Sequence, residues 1–201
     1  METVLGVAMA PTTVRMVLVE GENADGVTVD EENFEVTGDG APATRTGPDQ
    51  VISAILGTRE GAAESGYQLR STGVTWTDPA EAAALRDALA SHKMENVMLV
   101  SAFMAAAALA QTVGSSIGYD QTALLFVEPD TATLAVVNSA DGSITDVHRQ
   151  PLQSTDRVSE LAAIASSAER LGTRPDGLFV VGPTLTSPRS SEHWRRRPHL
   201  R

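Results

Sequence analysis

The segment Ala123–Thr145, with the sequence ALLFVEPDTATLAVVNSADGSIT, decides the fold class of this chain. It reads as an apolar strand, a tight turn at Glu128–Thr131, a second apolar strand, a turn at Ala140–Gly142 and a third strand. Proline and aspartate favour tight turns, and the pair Asp-Gly is a strong signal of a hairpin. The segment therefore predicts a three-stranded antiparallel unit.

The same arrangement opens the chain over residues 4–29, which indicates an internal duplication. Pro11 and Thr13 align with Pro129 and Thr131 at an offset of 118 residues, and the Ala-Asp-Gly turn that follows also recurs. Strands align on both sides of these turns. Two such units facing each other would form a cleft between them, which is a common place for a ligand.

Helices and strands alternate between and after the two units. Apolar residues that recur at intervals of three and four predict helices, and short apolar runs bounded by Gly, Pro or Asp predict strands. An acidic third strand is expected at a sheet edge, because edge charge prevents unwanted pairing. Gly114–Tyr119 is predicted to be a linker, and the first unit is predicted to follow the order βββαβαβα. The predicted strands are 4–9, 14–19, 27–36, 71–76, 96–100 and 178–181, and the predicted helices are 48–63, 79–91, 101–112 and 156–171.

The composition fits a folded protein of the cytoplasm. Hydrophobic residues make up 42% and charged residues 20%, so a core can form. The absence of cysteine excludes disulfides and thiolate metal sites, and the four histidines lack zinc-ligand spacing. No apolar run approaches the roughly 20 residues of a membrane span, and no secretory signal is recognisable.

The charge is distributed unevenly along the chain. The net charge is −11, and the segment 186–201 contains five Arg and one Glu, so residues 1–185 carry −15. A body this acidic disfavours nucleic acid and anionic membranes as partners. The basic segment 186–201 has no periodicity, and we expect it to be a disordered tail.

Four segments carry a resemblance to a known superfamily. They are Gly6–Thr12 (GVAMAPT), Ser101–Ala107 (SAFMAAA), Phe126–Ala132 (FVEPDTA) and Asp176–Gly182 (DGLFVVG). Their order and context resemble the first phosphate loop, the connecting helix, the second phosphate loop and the start of the adenosine motif of actin, the sugar kinases and the seventy-kilodalton heat-shock chaperones. The resemblance covers about residues 3–183. It implies an α/β fold of two ribonuclease-H-like lobes of actin-like ATPase type, the first at 1–118 and a second, shortened one at 119–185.

The chain departs from that superfamily at the positions that handle phosphate. The metal-associated carboxylate falls on Ala8, and the water-orienting glutamate falls on Ala102. Phosphate loops aim backbone N–H groups at oxygens, and proline has no N–H. Acidic side chains at the second loop would add repulsion of about 1 to 4 kcal/mol per contact at ~4 Å. The other departures are Ala10, Val127, Pro129, Asp130 and Thr131, which take the places of loop glycines and of an acidic residue.

Three hypotheses for function follow. The first is a non-catalytic protein-interaction or regulatory scaffold without catalytic residues, metal or cofactor, which docks a protein partner at its sheet edges and at the Ala-rich helix Ala105–Ala110. The alternative is a divergent ATP-binding protein or ATPase that binds ATP and Mg²⁺ in the cleft. A third hypothesis is that the chain is one domain of a longer protein. In the ATP-binding alternative the cleft is lined by Thr12, Thr13, Glu128, Asp130 and Thr131.

Overall fold

The computed structural model describes residues 1–10, 13–36, 47–153 and 156–182, and the chain divides into two compact units, 1–105 and 106–201. The segment 186–201, predicted to be a disordered tail, lies outside the described residues. The predicted lobe boundary after residue 118 stays a prediction. The two compact units divide earlier, within a helix.

The first unit is built on a five-stranded mixed sheet. The strand order is β3-β2-β1-β4-β5, with β1–β2–β3 antiparallel and with β4 and β5 parallel to β1. The acidic third strand lies at one edge, as predicted. The strands are β1 (Glu2–Met9), β2 (Thr13–Glu20), β3 (Thr28–Glu35), β4 (Gln68–Trp76) and β5 (Val97–Ser101), and the helices are α1 (Gly47–Glu64) and α2 (Pro79–Ser91).

The core of the first unit lies on one face of this sheet. Alternate residues of β1 and β2 are buried there, because successive strand side chains point to opposite faces. On β1 the intervening Gly6 and Ala8 are exposed. The buried cluster comprises Leu5, Val7, Met9, Val14, Met16, Leu18 and Val74 from the strands, and Val51, Ile52, Ile55, Ala62, Leu85 and Leu89 from α1 and α2.

The second unit is built on a four-stranded sheet of order β8-β7-β6-β9. Strands β6, β7 and β8 are antiparallel, and β9 runs parallel to β6. The order matches the first four strands of the other sheet, and no fifth strand is found in the described residues. The elements are α3 (Ala102–Ser116, which begins in the first unit), β6 (Gln121–Val127), β7 (Thr131–Asn138), β8 (Ile144–Pro151), α4 (Arg157–Ser167), a 3-10 turn (Ala168–Arg170) and β9 (Gly177–Val181).

The central strands of the second unit are buried on both faces. Every residue of β6 after Gln121 is buried, and the interior residues of β7 are buried as well. Leu125 and Leu134 belong to a cluster that includes Ile164 of α4. On the opposite face, Gly114 of α3 lies directly against Thr122.

The predicted strands and helices are all present, but the predicted ends of two helices are wrong. Helix α3 continues to Ser116, so the predicted linker starts later. The helix ends where Gly118 adopts a φ of 76° and the N–H of Tyr119 donates to the carbonyl of Gly114 at 2.9 Å. The α4 segment ends earlier than predicted and continues as a 3-10 turn. Within the Ala-rich helix Ala105–Ala110, which was predicted as a docking surface, Ala106, Ala107 and Ala110 are buried and Leu109 is 49% exposed, so docking there stays a prediction.

Candidate functional site

The two predicted phosphate-loop positions form equivalent hairpin turns. In the first unit, the N–H of Ala10 donates to the carbonyl of Thr13 at 2.9 Å, and the N–H of Thr13 donates back at 3.4 Å. In the second unit, the N–H of Glu128 donates to the carbonyl of Thr131 at 2.8 Å. The bonded residues correspond at the predicted offset of 118, which supports the duplication.

The first turn shows little of the predicted site. Thr12 lies outside the described residues, and Thr13 is the exposed first residue of β2, paired with Glu35 of the edge strand β3. Both Ala8 and Thr13 are exposed. The described part of this turn therefore offers the hydroxyl of Thr13 and no charged group of its own.

The second turn is held by a network centred on Glu128. Its carboxylate accepts a hydrogen bond from the hydroxyl of Thr131 at 2.8 Å and from Nη2 of Arg149 at 3.1 Å. The same guanidinium donates to Oγ1 of Thr131 at 3.3 Å. The Glu128 side chain is only 17% exposed, whereas that of Arg149 is 64% exposed. The predicted site residues Glu128 and Thr131 are therefore brought together, and each already has a partner.

Asp130 lies at the tip of the same turn and points into solvent. Its side chain is 92% exposed, and Nη2 of Arg157 lies 3.9 Å from its Oδ1. Its carbonyl accepts a hydrogen bond from the N–H of Leu152 at 2.8 Å, which ties the turn to the segment after β8. Asp130 is the most accessible carboxylate of the predicted set.

Sequence reasoning missed the two arginines, and this changes the charge of the turn. Glu128 and Asp130 are each paired with a guanidinium, so the turn is close to neutral and not negative as expected. Arg149 stands opposite Thr133 across the β7–β8 pair, and its long side chain reaches back to the turn. The register set by the Ala140–Gly142 turn is the signal that could have located it.

The end of β9 approaches the second turn very closely. A Cβ on Gly182 would lie 2.5 Å from the carbonyl oxygen of Val127 and 3.1 Å from its Cβ, so no side chain fits there. Gly182 closes the segment that resembles the start of an adenosine motif. Its lack of a side chain is a packing requirement of the β6–β9 pair.

Neither a metal-binding cluster nor a membrane-spanning helix is found in the part of the chain that the structure describes. In that part, no group of three or more His, Asp or Glu side chains is arranged to hold a metal ion. Also within the described ranges, no helix combines the length and apolarity that a bilayer crossing requires.

Solved structures with a similar fold include Ppx/GppA proteins. The type II variant of the Aquifex aeolicus Ppx/GppA phosphatase matches with a TM-score of 0.58 and 12% identity, over 92% of this chain and 69% of that one. Another Aquifex aeolicus member of the Ppx/GppA family matches with a TM-score of 0.56 and 10% identity, over 90% and 65%. An exopolyphosphatase from Cytophaga hutchinsonii matches with a TM-score of 0.52 and 14% identity, over 89% and 66%. The chain thus spans about two thirds of the length of these proteins.

These matches confirm the predicted fold class. The chain has an α/β fold of actin-like ATPase type, and within the described residues its second sheet is one strand smaller than the first. At this level of identity the matches establish the fold alone. No curated protein matches the sequence. A family model, described as a family of unknown function (DUF7159), matches residues 2–187.

Proposed function

We propose that this chain, which belongs to the DUF7159 family of unknown function, is a non-catalytic scaffold that binds a protein partner. The observation that carries the proposal is the closed turn of the second unit. The N–H of Glu128 is used within the turn, and Pro129 has no N–H to offer. A phosphate loop needs several free N–H groups aimed at one point, so this turn is poorly suited to the task.

The side chains of the turn support the same conclusion. The hydroxyl of Thr131 is bonded to Glu128, and the carboxylate of Glu128 is paired with Arg149. A Mg²⁺ ion prefers carboxylate oxygens that are free to enter its octahedral shell. Binding Mg²⁺ through Glu128 would require breaking an ion pair and a hydrogen bond.

The edge of β9 is the surface that we propose for the partner. Within the described residues no strand pairs with its outer edge, and Leu178 and Val180 are 36% and 41% exposed. The strand Gly177–Val181 has no charge or proline, whereas the edge strand β3 contains four acidic residues. Charged edges resist pairing, and uncharged edges accept an added strand. We infer a partner that contributes an extended, uncharged segment, and the cysteine-free chain suits a reducing compartment such as the cytoplasm.

Calorimetric titration with ATP and Mg²⁺ tests the non-catalytic part of the proposal. We expect no saturable binding up to about 1 mM nucleotide. Binding with a dissociation constant of about 10 μM or tighter would contradict the proposal. Inorganic triphosphate serves as a second probe, because it reports on phosphate binding without an adenine pocket.

The docking part is tested by a matched pair of variants. Val180→Lys places a charge on the β9 edge, and Val158→Lys places the same charge on α4, where Val158 is 79% exposed. We expect a protein captured by the wild type to be retained by Val158→Lys and lost with Val180→Lys. Equal capture by all three proteins would place the partner on another surface.

A divergent phosphate-binding protein is the second candidate, and the two arginines favour it. Arg149 and Arg157 are 64% and 52% exposed beside the second turn, so their guanidinium groups remain accessible to an anion. Relatives in fold include a phosphatase and an exopolyphosphatase. In this candidate Asp130 and Thr131 would line the ligand.

The arginines separate the two candidates. If inorganic triphosphate binds, and Arg149→Gln with Arg157→Gln abolishes that binding, the second candidate is correct and the scaffold proposal fails. If triphosphate does not bind to the wild type, the second candidate fails.

A further inference from the structure

A cavity of about 250 Å³ lies in the first unit, at the end of the sheet away from the Ala10–Thr13 turn. It is lined by the beginning of β4, by α1 and by the segment between α2 and β5. Ile55, which is 1% exposed, and the half-buried Leu69 give it an apolar wall. The hairpin turns and the β9 edge do not contribute to this cavity.

Positive charge is concentrated at the rim. Of the nine Lys and Arg residues within the described ranges, three line this cavity: Arg59, Arg70 and Lys93. Glu95 is the only carboxylate among the lining residues. A local excess of two positive charges is unexpected on a chain whose net charge is −11, so the grouping needs an explanation.

Two of the three cations have no ion-pair partner among the residues that the structure describes. In the described residues, neither Arg59 nor Lys93 forms an ion pair, and both side chains are exposed at the rim. Arg70 has two long contacts, 3.9 Å to Glu2 and 3.8 Å to Glu22, on exposed side chains. Contacts of that length between exposed groups contribute little, so Arg70 can turn to a ligand.

The backbone is irregular at two of these cations. Thr3 and Val4 of β1 pair with Leu69 and Ser71 of β4, so Arg70 is the extra residue of a β-bulge. Bulges redirect a side chain and are common beside functional sites. Lys93 has a φ of 54° where α2 ends, a position at which glycine is the usual residue because other side chains cost free energy there. Lysine is therefore not the residue that the backbone alone would favour.

We propose that this cavity binds a small organic anion. Arg59, Arg70 and Lys93 hold its carboxylate or phosphate group, and the apolar wall at Ile55 and Leu69 receives its body. Guanidinium groups match the geometry of both oxyanions and form charge-assisted hydrogen bonds with them. The volume lies just below the range of about 300 to 1,000 Å³ typical of ligand pockets, which suits a molecule with one ring.

The test uses the full chain and three probes that each carry one benzene ring: phenyl phosphate, benzoate and the neutral benzyl alcohol. Binding is followed by NMR titration, with the amide resonances of residues 69–72 and 93–97 as local reporters. We expect saturable binding of at least one anion at low millimolar concentration or tighter, with no saturation by benzyl alcohol. A preference for phenyl phosphate identifies a phosphate ligand, and a preference for benzoate identifies a carboxylate.

Three variants locate the site. Lys93→Gly and Arg59→Gln each remove one rim charge, and each should weaken binding roughly tenfold, the loss of a charge-assisted hydrogen bond. Lys93→Gly also relieves the positive φ, so its melting temperature should rise and a loss of binding cannot be ascribed to unfolding. Arg86→Gln is the control, because Arg86 is 72% exposed on α2 and does not line the cavity.

The proposal is overturned if neither anion saturates at about 10 mM, if benzyl alcohol binds as well as the anions, or if Arg86→Gln weakens binding as much as the rim variants. Because the probes report on residues 69–72 and 93–97, the result is independent of the scaffold proposal. Failure of either one leaves the other standing.

Discussion

The first strands of the two units, β1 and β6, occupy the same place in their sheets but differ in which of their side chains are buried. In β1 the buried Leu5, Val7 and Met9 alternate with the exposed Gly6 and Ala8. In β6 every residue from Thr122 to Val127 is buried. Both strands lie between an antiparallel and a parallel neighbour, so the difference comes from what covers the sheet faces.

The comparison teaches that a duplicated backbone does not duplicate its core. A strand with a continuous apolar run such as ALLFV must be covered on both faces of its sheet. A strand in which buried and exposed residues alternate needs to be covered on one face only. In the second unit α4 covers one face, and α3 approaches the other through its small residues. Within the described residues the second sheet also ends at β9, while its counterpart β4 is followed by β5. The second unit therefore buries its central strands on both faces of the sheet, and within the described residues no strand pairs with the outer edge of β9.

The largest expected difference concerns the face that only the second unit buries. Phe126, which is 3% exposed, corresponds to the exposed Ala8 at the offset of 118. Phe126→Ala should lower the free energy of unfolding of the second unit by about 3 to 5 kcal/mol, because it leaves a large cavity. Ala8→Ser should change that of the first unit by less than about 0.5 kcal/mol.

Hydrogen exchange of the β1 and β6 amides during urea titration reports on each unit separately. The comparison is broken if Ala8→Ser destabilises the first unit by a similar amount, since that face of β1 would then be buried in solution. It is also broken if Phe126→Ala costs less than about 1 kcal/mol.

The second expected effect concerns the glycine that lets α3 approach the second sheet. A Cβ on Gly114 would lie 2.6 Å from Oγ of Ser139 and closer still to Oγ1 of Thr122. Both hydroxyls are buried without a hydrogen-bond partner among the described residues. Gly114→Val should destabilise the second unit by about 1 to 3 kcal/mol through overpacking.

The matched control is Gly57 of α1, around which a Cβ would meet nothing within 4 Å. Gly57→Ala should stabilise the first unit by about 0.5 to 1 kcal/mol, because glycine is unfavourable inside a helix. Thermal unfolding of the two variants is the measurement. If both substitutions raise the melting temperature, α3 does not pack closely on the second sheet.

The sequence predicted the order of elements because the signals for them are local. Turn residues, apolar periodicity and the repeat at 118 placed all the strands and helices of the described residues. What escaped prediction depends on register and tertiary contacts. Arg149 reaches the second turn only because β8 pairs with β7 in one register, and α3 runs on to Ser116 because its end rests on Thr122 and Ser139. The cavity of the first unit draws its cations from three separate elements, so no local pattern reveals it.

A smaller effect is expected at the turn that distinguishes the second unit. Arg149→Gln removes the ion pair with the mostly buried Glu128, whereas Arg157→Gln removes a contact with the exposed Asp130. Because Arg149 is itself 64% exposed, its pair should contribute no more than about 1 kcal/mol. The contact of Arg157 should contribute close to nothing.

Urea unfolding of the two variants ranks the pairs. If Arg157→Gln is the more destabilising, the turn is held chiefly from α4 and the network around Glu128 is secondary. If neither variant differs from the wild type, the turn owes its shape to Pro129 and the hairpin hydrogen bond alone.

The smallest expected effect is the pH dependence of the cap of α4. The hydroxyl and the N–H of Ser159 donate to the carboxylate of Asp156 at 2.6 and 3.2 Å, and they lower the pKa of Asp156 below its ordinary value of 3.8. A lowered pKa means that the contribution to stability is complete above the ordinary pKa and is lost as the pH falls below 3.8 through the folded-state value. Ser159→Ala should therefore lower the melting temperature slightly at neutral pH, and the difference from wild type should shrink below pH 3.8. Ser166→Ala is the control, since that hydroxyl donates to the carbonyl of Ala162 and does not touch Asp156. A difference that persists unchanged in acid would show that the hydroxyl of Ser159 acts independently of the charge of Asp156 and that this charge is not what caps the helix.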